Sequence, residues 1–184
     1  MQKFQVMVYI ITILGIVFFS AANSIETNYS KIDFEAKKPF IIKEITQNLP
    51  QKDTIMYTDV PRGIILSISQ EELFCNNSDE ISIEGKLLLS CIAKLLKTFN
   101  NDCTIEAHSE ELLSGDKIYR DDWEISIVRA TKIAKYLSTN FGIECNRLFP
   151  IGFGKIMPFR ENVAPINFSN NRIDFVIFDY TVSR

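Results

Sequence analysis

The chain has 184 residues, 46% of them hydrophobic, which is enough to bury one core and carry an appendage. Twenty Lys and Arg against 23 Asp and Glu leave a net charge of −3, and no basic stripe runs along any segment. That excludes the electrostatic footprint of a nucleic-acid-binding protein, and no internal repeat or low-complexity tract suggests a solenoid or a disordered chain.

The N-terminal segment stands apart. "VMVYIITILGIVFFSAA", Val6 to Ala22, is an uncharged run of seventeen residues, the lower edge of a membrane span. Lys3 before it and the small residues Ser20, Ala22 and Ser24 fit a signal peptide equally well. Residues 1–24 are therefore expected to be a hydrophobic helix, either a membrane anchor or a cleaved signal. Both readings send the rest of the chain across a membrane. No cysteine lies near the end of the run, which argues against a lipoprotein-type anchor.

Residues 25–60 are polar and poorly periodic and read as a linker, broken by a short helix or strand near "PFIIKEI". The domain is expected over residues 61–184. It begins with "RGIILSIS", where Ile64, Leu66 and Ile68 alternate with Ser67 and Ser69, the pattern of a half-buried strand. In "SIEGKLLLSCIAKLLKTF", Ser82 is the N-cap and Leu88, Cys91/Ile92, Leu95/Leu96 and Phe99 mark the apolar face of a helix. "CTIEAHS" reads as a second strand, with Ile105 and Ala107 on one side and Glu106 and His108 on the other. A polar loop, "EELLSGDKIYR", leads to a second helix from about Asp122 to Asn140, buried along Ile127, Ala130, Ile133/Ala134 and Leu137. Gly142 is placed to stop it. "RLFPIGFG" gives a third strand and "RIDFVIFDY" a fourth.

The order β-α-β-α-β-β predicts an α/β two-layer sandwich, a mixed sheet with both helices on one face. The last strand joins through a loop, so it is expected to pair antiparallel.

Chemistry-bearing patterns are few. Cys75, Cys91, Cys103 and Cys145 lie far apart, with no spacing for zinc, and four cysteines allow three pairings. Cys91 falls on a helix stripe and reads as a small core residue. The single histidine, His108, has no nucleophile arranged around it and reads as a strand-end residue bonded to backbone. "GFG" at 152–154 opens no helix and is no nucleotide fingerprint. Neither an enzyme nor a cofactor is expected.

One pairing does suggest a ligand. "AHSEE" ends a strand, and "DDWEISIVRA" begins the helix that follows. Strand end and helix start share one edge of a sheet, so Glu110 and Arg129 could face one another across a groove. A separated carboxylate and guanidinium suit a zwitterion, because Arg grips a carboxylate bidentately while the acid takes an ammonium. The first N–H groups of the helix favour an anion at the same place. The competing reading is a structural ion pair or two solvated charges.

These stretches resemble the OmpA-like peptidoglycan-binding domain, and most of all its variant in MotB-type proteins. The likeness covers roughly residues 62–178. The family's "GHTD" corresponds to Ala107, His108, Ser109 and Glu110, and "NWELSxxRA" to residues 122–130. "GIxxxRLxxxGYGxxxP" corresponds to Gly142-Ile143, Arg147-Leu148, Gly152-Phe153-Gly154 and Pro158. The resemblance implies that Glu110 and Arg129 hold the zwitterionic end of diaminopimelate in the stem peptide, with Ser109, Asp122, His108 and Arg172 in the same ligand site. Glu110 stands where the family has aspartate and Asp122 where it has asparagine. "NFSNNR" replaces "GRxxNRR". An ion-conducting stator role is not expected, because the run 6–22 carries no carboxylate.

The function expected is therefore a non-catalytic envelope protein that tethers a membrane or an envelope complex to peptidoglycan. The alternative is a degenerate module acting as a protein-interaction subunit of an envelope, secretion or motor-type complex. Expected partners are peptidoglycan, the membrane through residues 6–22, and a second copy or complex subunits. The expected location is the periplasmic side of a bacterial envelope, either anchored or exported after signal cleavage.

Overall fold

The computed structural model describes residues 34–50, 52–76, 78–110, 119–158, 168 and 170–179. The anchor-or-signal reading of residues 1–24 lies outside them. Among the described residues, no helix is long and apolar enough to cross a membrane.

In chain order the elements are α1 (34–48), β1 (Ile55–Val60), β2 (Gly63–Ser69), α2 (Gln70–Leu73), α3 (Ile83–Thr98), β3 (Cys103–His108), α4 (Asp122–Phe141), a 3-10 turn (Cys145–Arg147), β4 (Leu148–Gly154) and β5 (Arg172–Phe178). The strands form one sheet in the order β1-β2-β5-β3-β4. Every neighbouring pair is antiparallel except β3 and β4. β3, α4 and β4 thus make a βαβ unit. β2 and β3 run parallel with β5 slotted between them, a split βαβ arrangement.

Alternation along each strand decides which side meets the helices. Ile64, Leu66 and Ile68 of β2, Ile105 and Ala107 of β3, and Ile173, Phe175 and Ile177 of β5 are buried together with Leu89, Ile92 and Leu96 of α3 and Ala130, Ile133 and Leu137 of α4. Each buried Leu or Ile contributes about 1.5–3 kcal/mol. Ser82 caps α3 by accepting a hydrogen bond from the Gly85 N–H at 2.8 Å. Asp121 caps α4 in the same way, and Gly142 ends it in the left-handed region at φ 67°. The expected two-layer sandwich with an antiparallel last strand is present, with more elements than the sequence reading assigned.

The linker expected over 25–60 is corrected from residue 34 onward. Phe34, Ile41, Ile45 and Leu49 recur at helical spacing, and all four are buried in the domain core. Ile45 and Leu49 lie beside Leu66, Ile92 and Leu95, so α1 joins α3 and α4 on the same face. β1 pairs along its whole length with β2 as an edge strand. Lys38 of α1 reaches Asp59 of β1 at 2.9 Å, and Lys52 and Thr54 both bond Glu72. A second correction concerns α4. Its buried stripe runs through Ile125, Ser126, Arg129, Ala130, Ile133 and Leu137, and Ile127, about 200° around the helix from Ile125, is exposed.

Candidate functional site

β3 delivers its end to the first turns of α4, as the sequence suggests, but the charges there do not pair as expected. Arg129 is buried. Its Nη1 donates to Gln70 Oε1, its Nη2 donates to the Ser78 carbonyl at 2.8 Å, and the guanidinium lies 5.1 Å from the centre of the Phe74 ring. Nε has no partner. Burial lowers the Arg129 pKa, and the negative charge of Asp79 opposes that shift.

Gln70 is the hub of this arrangement. It takes Arg129 on its carbonyl oxygen, while its Nε2 donates to the His108 carbonyl at 2.7 Å and to Ser109 Oγ at 2.8 Å. One side chain therefore fixes the guanidinium relative to the strand end. Asp79 supplies the nearest acidic field. It accepts from Tyr119 Oη and pairs with Lys132, and those contacts outweigh the upward push of its own burial and hold its carboxyl below the ordinary value. Glu110, by contrast, is exposed, and its backbone N–H donates to Asn171 Oδ1 at 2.7 Å. The groove reading foresaw Arg129 and Glu110 at one edge. It missed Gln70, Phe74, Ser78 and Asp79, which are 50 to 59 residues from Arg129 and carry no local motif.

Ser109 and Asp122 serve the joint between strand and helix. Ser109 is fully buried, and its N–H donates to the Gly154 carbonyl. Asp122 Oδ2 accepts from the Lys155 N–H at 3.0 Å, which requires an acceptor and suits an acid. Trp123 Nε1 donates to the Gly152 carbonyl, and Ser126 Oγ accepts from the Gly154 N–H at 3.1 Å. α4 and β4 approach so closely that a Cβ on Gly152 would lie 2.6 Å from the Ile127 nitrogen. The "GFG" stretch is thus the seat of the helix.

His108 and Arg172 belong to the opposite face of the sheet, so the six expected site residues do not form one pocket. His108 stacks on Phe153 at 5.2 Å and presents Nε2 to Asp174 Oδ2 at 3.2 Å, off the line that a hydrogen bond needs. Its side chain meets an acid, where backbone was expected. Arg172 donates from Nε to Asp174 Oδ2 at 3.0 Å and from Nη2 to the Met157 carbonyl at 3.2 Å. Burial pushes the Asp174 carboxyl up, but His108, Arg172 and Ser67 outweigh it and hold the group below the ordinary value. A concavity of about 400 Å³ opens beside these groups, with Arg62, Ser67, Glu106 and Phe153 in its wall. Arg147 is a third buried arginine. Its donors close the carbonyls of Leu96, Phe99 and Asn101 at the end of α3.

None of the four cysteines forms a disulfide, and Cys91 packs against the core as expected.

The same fold occurs in solved proteins. A putative MotB-like protein from Desulfovibrio vulgaris superposes with a TM-score of 0.70 at 21% identity, over 83% of this chain and 98% of the other. The cell wall anchor of the T6SS from Pseudomonas aeruginosa gives 0.65 at 21% identity, over 77% and 98%. The periplasmic domain of Helicobacter pylori MotB gives 0.60 at 22% identity, over 71% and 83%. At these identities the likeness is one of fold. In sequence, the uncharacterized protein YtxE of Bacillus subtilis is 26% identical over 117 residues, 63% of this chain and 48% of its own length. The chain thus spans about half of that relative. The OmpA family model matches residues 73–172, from the end of α2 to the start of β5. With more than half of its residues under that model, the chain belongs to the OmpA family.

Proposed function

We propose that the domain binds peptidoglycan without catalysis and so holds a membrane or an envelope complex to the wall. Arg129 grips the carboxylate of diaminopimelate, and Glu110 receives its ammonium. The observation that carries this reading is the state of Arg129, a guanidinium buried at the strand end whose Nε has no hydrogen-bond partner among the described residues. Glu110 stands exposed at that same end. A guanidinium held rigidly by Gln70 loses little freedom on meeting a planar carboxylate. The reading agrees with what the similar folds are named for, a cell wall anchor and the periplasmic domain of MotB. The domain then lies on the periplasmic side, either anchored by residues 6–22 or free after cleavage.

The test is sedimentation of the purified chain with peptidoglycan sacculi. Wild type co-sediments, and Arg129→Ala and Glu110→Ala each reduce the bound fraction by about tenfold or more. Arg129→Lys, which keeps the charge and loses the fork, falls between. Free diaminopimelate competes with the sacculi. If neither alanine variant binds less, the clamp is wrong.

One observation favours a second reading. Both Nη atoms of Arg129 are already engaged inside the domain, by Gln70 and by the Ser78 carbonyl, as expected of a structural arginine. A domain that ignores sacculi yet co-purifies with an envelope complex would then be an interaction module that keeps the fold.

A further inference from the structure

The sheet face turned away from the helices gathers donor atoms that the described residues do not use. Glu106 and His108 stand two apart on β3 and therefore point to the same side. Asp174 of β5 is the direct cross-strand neighbour of Glu106. One ligand atom from each of the three lies within 4.8 Å of the other two. All three residues are buried, His108 to 3% exposure and Asp174 to 6%. Neither nitrogen of His108 has a hydrogen-bond partner, and neither has Asp174 Oδ1. Buried polar atoms left bare are costly and rare, and an ion is one of the standard reasons for them.

We propose that Glu106, His108 and Asp174 form a binding site for a divalent metal ion of the zinc class. One imidazole nitrogen and two carboxylate oxygens make a mixed nitrogen and oxygen set, which zinc accepts at about 2.0–2.2 Å. A tetrahedral ion with such bonds holds its ligand atoms about 3.3 Å apart. The contraction required is about 1.5 Å, within reach of the Glu106 and Asp174 side-chain torsions.

The surrounding groups support the three ligands. Thr104 Oγ1 donates to Glu106 Oε1 at 3.0 Å, and Arg172 Nε donates to Asp174 Oδ2 at 3.0 Å, leaving Asp174 Oδ1 for the ion. Carboxylates steadied in this way are the usual second layer of a metal site. Phe153 fixes the plane of the imidazole by stacking. Two arginines oppose an incoming cation, and their placement limits that cost. Arg172 bonds one oxygen of Asp174 and leaves Oδ1 without a hydrogen bond, while Arg62 is half exposed, reaches Glu106 only at 3.6 Å and can turn into water. The adjoining concavity admits a fourth ligand from solvent. The site lies on the other side of the sheet from Arg129, so it stands apart from the peptidoglycan reading.

The experiment is equilibrium dialysis of the chelator-stripped full chain against zinc chloride, with metal analysis and thermal melting. Wild type binds one zinc per chain and melts at a higher temperature with it. His108→Gln and Glu106→Gln, both close in size to the native residue, each weaken binding by more than about tenfold while the metal-free chains keep a cooperative melt. Serine at the exposed thiols Cys75 and Cys145 leaves uptake unchanged. The proposal is overturned if wild type takes up no zinc, if both glutamine variants keep it, if the serine replacements abolish it, or if magnesium or calcium displaces it at equal concentration.

Discussion

The two faces of the sheet bury charge in different ways. On the helix side, the hydrogen-bond and ring partners of Arg129 among the described residues are neutral, namely an amide, a backbone carbonyl and a ring face. On the other side, charge meets charge, with Arg172 on Asp174 and Arg62 near Glu106. Neutral partners position an arginine without cancelling it, so its charge stays available to an anion. An ionic lattice spends its charge internally and breaks badly when one member is lost. The helix side thus positions a guanidinium among neutral groups, and the far side sets arginines against acids while Asp174 Oδ1 and the His108 nitrogens stay open.

The largest test of that contrast is to remove helix-side cover. A chain trimmed to begin at residue 61 loses α1 and β1, and with them the burial of Phe34, Ile41, Ile45 and Leu49, on the order of 6–12 kcal/mol. Thermal melting is expected to show no cooperative transition. A folded trimmed chain would restore the linker reading. On the far face, Arg172→Ala leaves Asp174 as a buried charge without its arginine and should cost about 3–5 kcal/mol in urea unfolding. A loss below about 1 kcal/mol would mean that this lattice behaves like a surface ion pair.

Smaller effects refine the comparison. Gly152→Ala places a methyl against the first turns of α4 and should cost about 1–3 kcal/mol, with sacculus binding falling more than stability if α4 orients the clamp. The smallest effect is acidic. The Asp79 carboxyl is held below its ordinary value by Lys132 and Tyr119 against the effect of burial. Its stabilising contribution is complete above the unfolded carboxylate value of about 3.9 and is lost as pH falls through the depressed one. Asp79→Asn should flatten the stability profile in that acid window alone. An unchanged slope there would remove Asp79 from the account.

Most of the domain was legible because its strands and helices carry clean periodicity. Ile64, Leu66 and Ile68 announce β2, and Ser82 and Gly142 punctuate α3 and α4. α1 was hidden because Pro39 and exposed Phe40 interrupt the spacing of Phe34, Ile41, Ile45 and Leu49. β1 was hidden because this edge strand buries neither side fully, and its sequence IMYTDV sets three apolar residues in a row before Thr58 and Asp59. In the site, Arg129 and Glu110 were readable through the order of their motifs. Gln70 and Asp79 were not, since nothing local links them to Arg129. The placement of His108 and Arg172 on the far face follows from strand parity, which overrides their closeness in sequence to Ser109 and Asn171.

The position of β5 sets the order in which the molecule can be completed. It is the last of the described strands along the chain, yet it fills the centre of the sheet, with β2 on one side and β3 on the other. Until residues 172–178 have emerged, β1-β2 and β3-β4 remain two separate pairs, each with an open inner edge. Closure therefore waits on contacts of long sequence separation, which fold slowly. A chain emerging residue by residue cannot lock prematurely, and it stays an unclosed polymer until β5 arrives.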